Sequence, residues 1–106
     1  MTPLETTLAR IDQLVDGAPD LLAFPSVPLD RLRAILFGLA IGDALGNTTE
    51  SRRPRDRARD HGEITGYLQN RHAGGRRVGL PSDDTQMAFW LLEHLLDAGQ
   101  LNPDVL

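Results

Sequence analysis

At 106 residues and a formal net charge of -4, the chain has the length of one domain with a modest core, and its charge points to neither nucleic acid nor an anionic membrane. It contains no cysteine, which excludes a disulfide framework, a thiolate zinc site and a thiol nucleophile. All eleven basic residues are arginine, so Schiff-base chemistry and a Walker-type phosphate lysine are excluded as well.

The first predicted element is a short amphipathic helix over 4–16. Leu4, Leu8, Ile11, Leu14 and Val15 mark one face, with Glu5, Arg10, Asp12 and Asp16 opposite. Gly17 ends it, Gly17-Ala18-Pro19-Asp20 is turn chemistry, and Pro25 and Pro28 bracket a connector. Residues 1–28 read as an N-terminal extension and connector with a packing or docking role. They lack a basic start followed by an apolar core, so no signal peptide is predicted and a cytoplasmic protein is expected.

A helix over 30–46 follows, within LDRLRAILFGLAIGDALGNTTE from Leu29 to Glu50. From Ala34 to Ile41 almost every position is apolar, the pattern of a helix buried on all sides. The run is too short, and too closely followed by Asp43, to span a membrane. Ala34, Gly38, Gly42 and Gly46 step by four and predict close approach by a neighbouring helix, because glycine inside a helix costs about 1 kcal/mol against alanine. Asp43 continues the stripe Leu32, Leu36, Leu39 and should point inward, where a carboxylate needs a partner. It either caps the backbone amides of another segment or takes a direct part in a site. Glu50, four residues past Gly46, is by itself an ordinary exposed glutamate.

Residues 51–79 are polar and arginine-rich, with Asp56, Asp60 and Glu63 interleaved among the first arginines. A solvated helix over 54–61, laced with ion pairs, is expected, and phosphate contact is the lesser alternative. Residues 64–81 should be irregular, with at most a short extended piece. Ala73-Gly74-Gly75 and Gly79 make a flexible loop that lacks the Gly-Lys-[Ser/Thr] ending of a P-loop. His61, His72 and His94 share no ligand spacing.

The last helix is predicted over 82–98. Leu80-Pro81 brings the chain in extended or turning, and Ala88, Leu91, Leu92 and Leu95 recur at helical steps before Gly99. Ser82 reads as the N-cap, with Asp83, Asp84 and Thr85 in the first turn. One reading of this turn is structural: a capping serine is worth roughly 1 kcal/mol, and acids in a first turn gain about 0.3–1 kcal/mol each from the helix dipole. The other is a divalent-cation site, since neighbouring carboxylates flanked by hydroxyls are hard oxygen donors suited to magnesium, calcium or manganese.

Gly42-Asp43-Ala44-Leu45-Gly46 followed by Glu50, then Ser82-Asp83-Asp84-Thr85 and Gln86-Met87-Ala88, resembles the N-terminal signature of the ADP-ribosylglycohydrolase family, G-D-x-x-G-x-x-x-E followed by [ST]-D-D-T. The likeness runs from Leu29 to Leu106. It implies an all-α fold, of which these would be the N-terminal helices of a larger multi-helix domain, so that 29–106 is a partial glycohydrolase-like domain. It also implies a binuclear magnesium site and hydrolysis of the glycosidic bond joining ADP-ribose to a protein side chain or related acceptor. By position, Ser82, Asp83 and Asp84 would be metal ligands, and Glu50 a catalytic acid/base or substrate-positioning carboxylate. Asp43 would lie beside the site, either supporting the ligands or meeting substrate, and Thr85 would stand behind the ligands.

The departure from the family pattern is a second acidic motif, D-x-D-[ST], which this sequence lacks: after Asp84 come only Glu93, Asp97 and Asp104, all isolated. Asn102-Pro103-Asp104 is a good helix start with two residues after it, as in a truncated product or fragment. The expectation is an incomplete magnesium site and no hydrolysis by this chain alone. The implied partners are an ADP-ribosylated protein or ADP-ribose-like small molecule, with no nucleic acid and no membrane. Because three short helices can hardly surround an apolar one, self-association or a complementing C-terminal chain is also expected. The alternative function is a non-enzymatic remnant or helical interaction module.

Overall fold

The computed structural model describes residues 2–16 and 29–98, and these form an all-α structure. Its helices are α1 (Pro3–Asp16), α2 (Leu29–Gly46), α3 (Pro54–His61) and α4 (Asp83–Ala98), with 3-10 turns at Asn47–Thr49 and Arg71–Ala73. Each helix falls within a residue or so of its expected range. Between 64 and 81 the described chain is irregular apart from the second 3-10 turn and one isolated antiparallel bridge, Asn70 with Arg76. The turn at Gly17, the connector between Pro25 and Pro28, the stop at Gly99 and the start at Asn102 lie outside the described residues. No described helix is long and apolar enough to cross a membrane.

Local chemistry explains the first boundary. The Thr2 hydroxyl accepts from the Glu5 amide at 3.2 Å while the Thr2 amide donates to Glu5 Oε2 at 2.8 Å. This is a reciprocal capping box, with Pro3 at the first helical position where its missing N–H costs nothing. From there Leu4, Ile11 and Val15 of α1 are buried against Leu36, Ala40 and Ala44 of α2 and Phe89 and Leu92 of α4. Arg33 of α2 reaches back to Asp12 at 2.9 Å and Asp16 at 3.6 Å, and Arg10 pairs with Glu93 of α4. Such exposed pairs contribute about 0–1 kcal/mol each, so the core and not the ion pairs holds the three helices together. Helix α3 buries nothing and is laced as expected: Arg59 pairs with Asp56 and Asp60, and Arg52 also pairs with Asp60.

Helix α2 departs from expectation. Its apolar run predicts burial on all sides, yet Ile35 is 63% exposed and Leu39 36% exposed. Nothing lies within 4 Å of where a Cβ would stand at Gly38, Gly42 or Gly46, so no helix among the described residues packs on the small-residue stripe. The reason is geometric: α1 and α4 cover the arc holding Leu36, Ala40 and Ala44, and no further described element reaches the opposite side. Helix α4 repeats the pattern, burying Thr85, Phe89 and Leu92 while Met87, Trp90 and Leu91 stay exposed.

This asymmetry sets a contrast between two isoleucines. Ile11 is fully buried, and Ile11→Ala should cost about 2–5 kcal/mol in urea unfolding. Ile35→Ala should shift the same transition by no more than about 0.5 kcal/mol, as for an uncovered surface position.

Candidate functional site

The described residues converge at Asp43, in the last turn of α2. Its carboxylate is half-buried and faces the start of α4, 39 residues downstream. The Ser82 amide donates to Oδ2 at 2.7 Å, the Ser82 hydroxyl to Oδ1 at 2.6 Å and the Thr85 hydroxyl to Oδ2 at 2.6 Å. Asn47, one turn after Asp43, donates at 3.5 Å to Oδ1 and at 2.6 Å to the Leu80 carbonyl, fixing the chain just before Pro81. Burial pushes the Asp43 pKa up. The hydrogen bonds from the Ser82 hydroxyl, Thr85, the Ser82 amide and Asn47 together outweigh it and hold the carboxyl below the ordinary 3.8. Of the two roles open to Asp43 in the sequence, the structure shows the cap on another segment's amide, extended to two hydroxyls.

Ser82 is the N-cap of α4, as its position predicts, and its oxygen accepts from the Asp84 amide at 3.3 Å. Its own proton is committed to Asp43, which leaves one lone pair on Ser82 Oγ unspent. Asp83 and Asp84 are both exposed, and Thr85 is 1% exposed beneath them. The expected quartet therefore divides: Thr85 faces Asp43 inside, the two carboxylates face out, and Ser82 links the two layers.

Glu50 reaches the same place by a different route. Thr49, only 2% exposed, anchors the 3-10 turn by donating to the Gly46 carbonyl at 3.3 Å, and the Glu50 amide closes the turn on the Asn47 carbonyl at 3.3 Å. Ser51 then takes φ +69°, a left-handed backbone that costs a non-glycine residue of order 1–3 kcal/mol and reverses the chain just after Glu50. Exposed Glu50 and half-buried Ser82 line one open cavity of about 650 Å3, together with Asn47, Asn70, Arg71 and His72.

Asn70 and His72 carried no expectation, and the segment around them is more ordered than its glycines suggest. The Asn70 side chain accepts from the His72 amide at 2.8 Å, and its carbonyl accepts from Ala73 at 3.1 Å and Gly75 at 2.9 Å. Gly74 and Gly75 supply the left-handed positions, φ +67° and +78°, that close this turn. The Ala73-Gly74-Gly75 stretch read as a flexible loop is thus hydrogen-bonded to Asn70, which with Arg71 and His72 lines the cavity. An Asn before a Gly-Gly pair is the signal that could have marked it.

The sequence profile of the ADP-ribosylglycohydrolase family matches residues 25–106. The chain belongs to that family. It is 34% identical over 109 residues to ADP-ribosylarginine hydrolase Tri1 of Serratia proteamaculans, covering 94% of this chain and 27% of that protein. It is 38% identical over 78 residues to ADP-ribosylarginine hydrolase Tri1 of Pseudomonas putida, covering 74% of this chain and 19% of that protein. The chain thus spans about a fifth to a quarter of the length of these curated relatives. No solved structure matches it significantly.

For a glycohydrolase of this family the donor chemistry suits magnesium: the Ser82 lone pair and two exposed carboxylates are hard oxygens at one helix start. They form a partial set. Among the described residues no three His, Asp or Glu side chains gather closely enough to hold a metal ion.

The Asp43 tie should govern the acid limb of stability. Its folded pKa is lowered, so its contribution is complete above the unfolded value and is lost as pH falls from about 3.8 through the lower folded value. Asp43→Asn should cost about 1–3 kcal/mol at neutral pH, because it weakens acceptance from two hydroxyls and an amide. Urea midpoints taken from pH 7 to pH 2.5 should fall less steeply in the variant than in the parent chain.

Proposed function

We propose that this chain contributes the N-terminal part of the active site of a magnesium-dependent hydrolase that cleaves the glycosidic bond between ADP-ribose and a protein side chain. The observation that carries this reading is the convergence of Glu50 and Ser82 on one cavity, with Asp83 and Asp84 exposed at the same helix start. Arginine is the acceptor favoured by the names of both relatives.

Each residue then has a role. Glu50 stands at the reacting ribose, where a carboxylate stabilises the oxocarbenium-like transition state or moves a proton to or from the leaving group or water. Ser82, Asp83 and Asp84 would hold magnesium, whose chemistry when bound would be Lewis-acid orientation of ribose hydroxyls and activation of a water. Asp43 and Thr85 are positioning residues: by taking the Ser82 proton, Asp43 keeps the second lone pair of Ser82 free for the ion. Three oxygen donors are fewer than magnesium takes, so water and donors other than these three side chains would complete its coordination. The competing reading, a helical interaction module without turnover, is favoured by the uncovered apolar faces of α2 and α4.

Assay of ADP-ribose release from ADP-ribosylarginine separates the two. The 106-residue chain alone should bind magnesium weakly and release nothing, since the positive helix end opposes a cation and only two carboxylates offset it. Combined with the rest of a family domain, it should support magnesium-dependent release. In that combination Glu50→Gln should lower the rate by about 10²–10⁴-fold, and Asp83→Asn with Asp84→Asn should abolish it. Release unaffected by either change would overturn the proposed roles.

A further inference from the structure

Three side chains that line the cavity beside Glu50 and Ser82 keep hydrogen-bond donors that the fold does not use. Thr48 Oγ1 is buried with no partner among the described residues, a state that folded proteins rarely leave a hydroxyl in. Asn70 is 4% exposed. Its Oδ1 accepts from the His72 amide at 2.8 Å, which fixes the side-chain amide and leaves Nδ2 without an acceptor among the described residues. Arg71 is exposed and donates from Nε to His72 Nε2 at 3.2 Å. Arg10, Arg33, Arg52 and Arg59 are paired with carboxylates. The end nitrogens of Arg71 have no such partner among the described residues, although Glu50 lines the same cavity.

We propose that Thr48, Asn70 and Arg71 form a phosphate subsite, filled by the diphosphate of an ADP-ribosyl substrate. Unspent donors beside an unpaired cation suit an anion rich in acceptors, and the guanidinium fork matches phosphate two oxygens at a time. An incoming guanidinium offers Thr48 and Asn70 no acceptor and is repelled by Arg71. A peptide carbonyl satisfies the neutral donors and leaves the cation unpaired. A carboxylate brings two oxygens to three side chains, of which Arg71 is exposed and Asn70 buried. A diphosphate has two joined groups, one for Arg71 and one for the donors withdrawn from solvent. The local field has the right sign as well. Residues 51–79 hold eight arginines against three carboxylates in a chain of net charge -4, so this segment draws anions that the rest of the chain repels. The diphosphate as occupant rests on the proposed hydrolytic reading, whereas the subsite itself rests on the unused donors.

Titration of pyrophosphate into the isotope-labelled 106-residue chain, followed by NMR without any metal ion, tests the subsite with no turnover. The Asn70 Nδ2 and Arg71 Nε signals should shift together with one dissociation constant. Arg71→Gln should weaken binding at least about tenfold, as for loss of a charge-assisted fork, and Thr48→Val about three- to tenfold. Thr48→Val should also leave the urea midpoint of the ligand-free chain unchanged or raised, since the hydroxyl it removes has no partner. Glu50→Gln should bind no more weakly than the parent chain, and Arg55→Gln, on exposed α3, should stay within about twofold of it. ADP-ribose should shift the same two signals, with the same loss in Arg71→Gln, and adenosine should not. Absence of these shifts with pyrophosphate overturns the subsite, and that result needs only the parent chain, whatever the variants do. An equal loss in Arg55→Gln and Arg71→Gln overturns it too, as general attraction to the arginine-rich segment. Succinate bound as tightly as inorganic phosphate overturns the choice of phosphate over carboxylate. Pyrophosphate bound where ADP-ribose is not overturns the diphosphate as occupant. Failure of the subsite leaves the proposed roles of Glu50, Ser82, Asp83 and Asp84 standing, and failure to release ADP-ribose leaves the pyrophosphate result standing.

Discussion

The acceptance of three strong hydrogen bonds by one carboxylate is the constraint on which the rest of this structure depends. Asp43 joins the end of α2 to the start of α4 across 39 residues, through Ser82 N, Ser82 Oγ and Thr85 Oγ1 at 2.6–2.7 Å. Hydrogen bonds to a charged group contribute about 1.5–3 kcal/mol each, and closing a loop of this length costs only slightly more than closing one half as long. The tie therefore holds although the intervening chain contributes little to the core, with α3 burying no residue at all. Asn47 doubles the attachment from the same helix end by gripping the Leu80 carbonyl.

That attachment decides where the cavity opens. Because α4 begins against Asp43, its first turn stands next to the 3-10 turn that carries Glu50, and both open on one cavity. The cavity's other wall, Asn70 to His72, is held by its own hydrogen bonds and not by the core. Hydrogen bonds thus hold the rim locally, while the large apolar residues on the outer arcs of α2 and α4 remain partly exposed. Ile11 and Val15 contribute to stability alone, whereas Asp43 contributes to stability and to the geometry of the cavity rim together.

The helices were legible because each carries a local signal: a periodic apolar stripe in α1 and α4, a continuous apolar run ending at Gly46 in α2, and Pro54 followed by interleaved charges in α3. The direction of burial was less legible. The continuous apolar run from Ala34 to Ile41 and the four-residue glycine stripe describe a helix with neighbours on every side, and they do so whether or not those neighbours belong to the same 106 residues. Periodicity reports the environment a helix is suited to, and α2 is suited to more cover than α1 and α4 provide. Family motifs singled out Glu50 and Ser82, which the fold brings to one cavity, and Asp83 and Asp84, which stand exposed at the start of α4. Asn47 and Asn70 went unread, because an asparagine that grips a distant carbonyl or caps its own turn looks like any polar loop residue until the partner is in place.

Three aspartates thus meet at one helix start with different work to do, and their surroundings set the division. Asp43 approaches from another helix, is half-buried, and has its oxygens occupied by Ser82 and Thr85. A carboxylate so engaged has little lone-pair capacity left for a cation. Asp83 and Asp84 belong to the helix itself, point away from that network and remain exposed, so their oxygens are available. The same bond that occupies Asp43 also fixes the Ser82 proton, and with the Asp84 amide held by one lone pair of Ser82 Oγ, the other lone pair is left over. A hydroxyl in place of a third carboxylate also limits the negative charge gathered at the turn, and the amide ends of α4 partly offset the two charges that remain. The cap and the proposed metal role, alternatives in the sequence, are not mutually exclusive, because the cap on the Asp84 amide uses one of the two lone pairs of Ser82 Oγ.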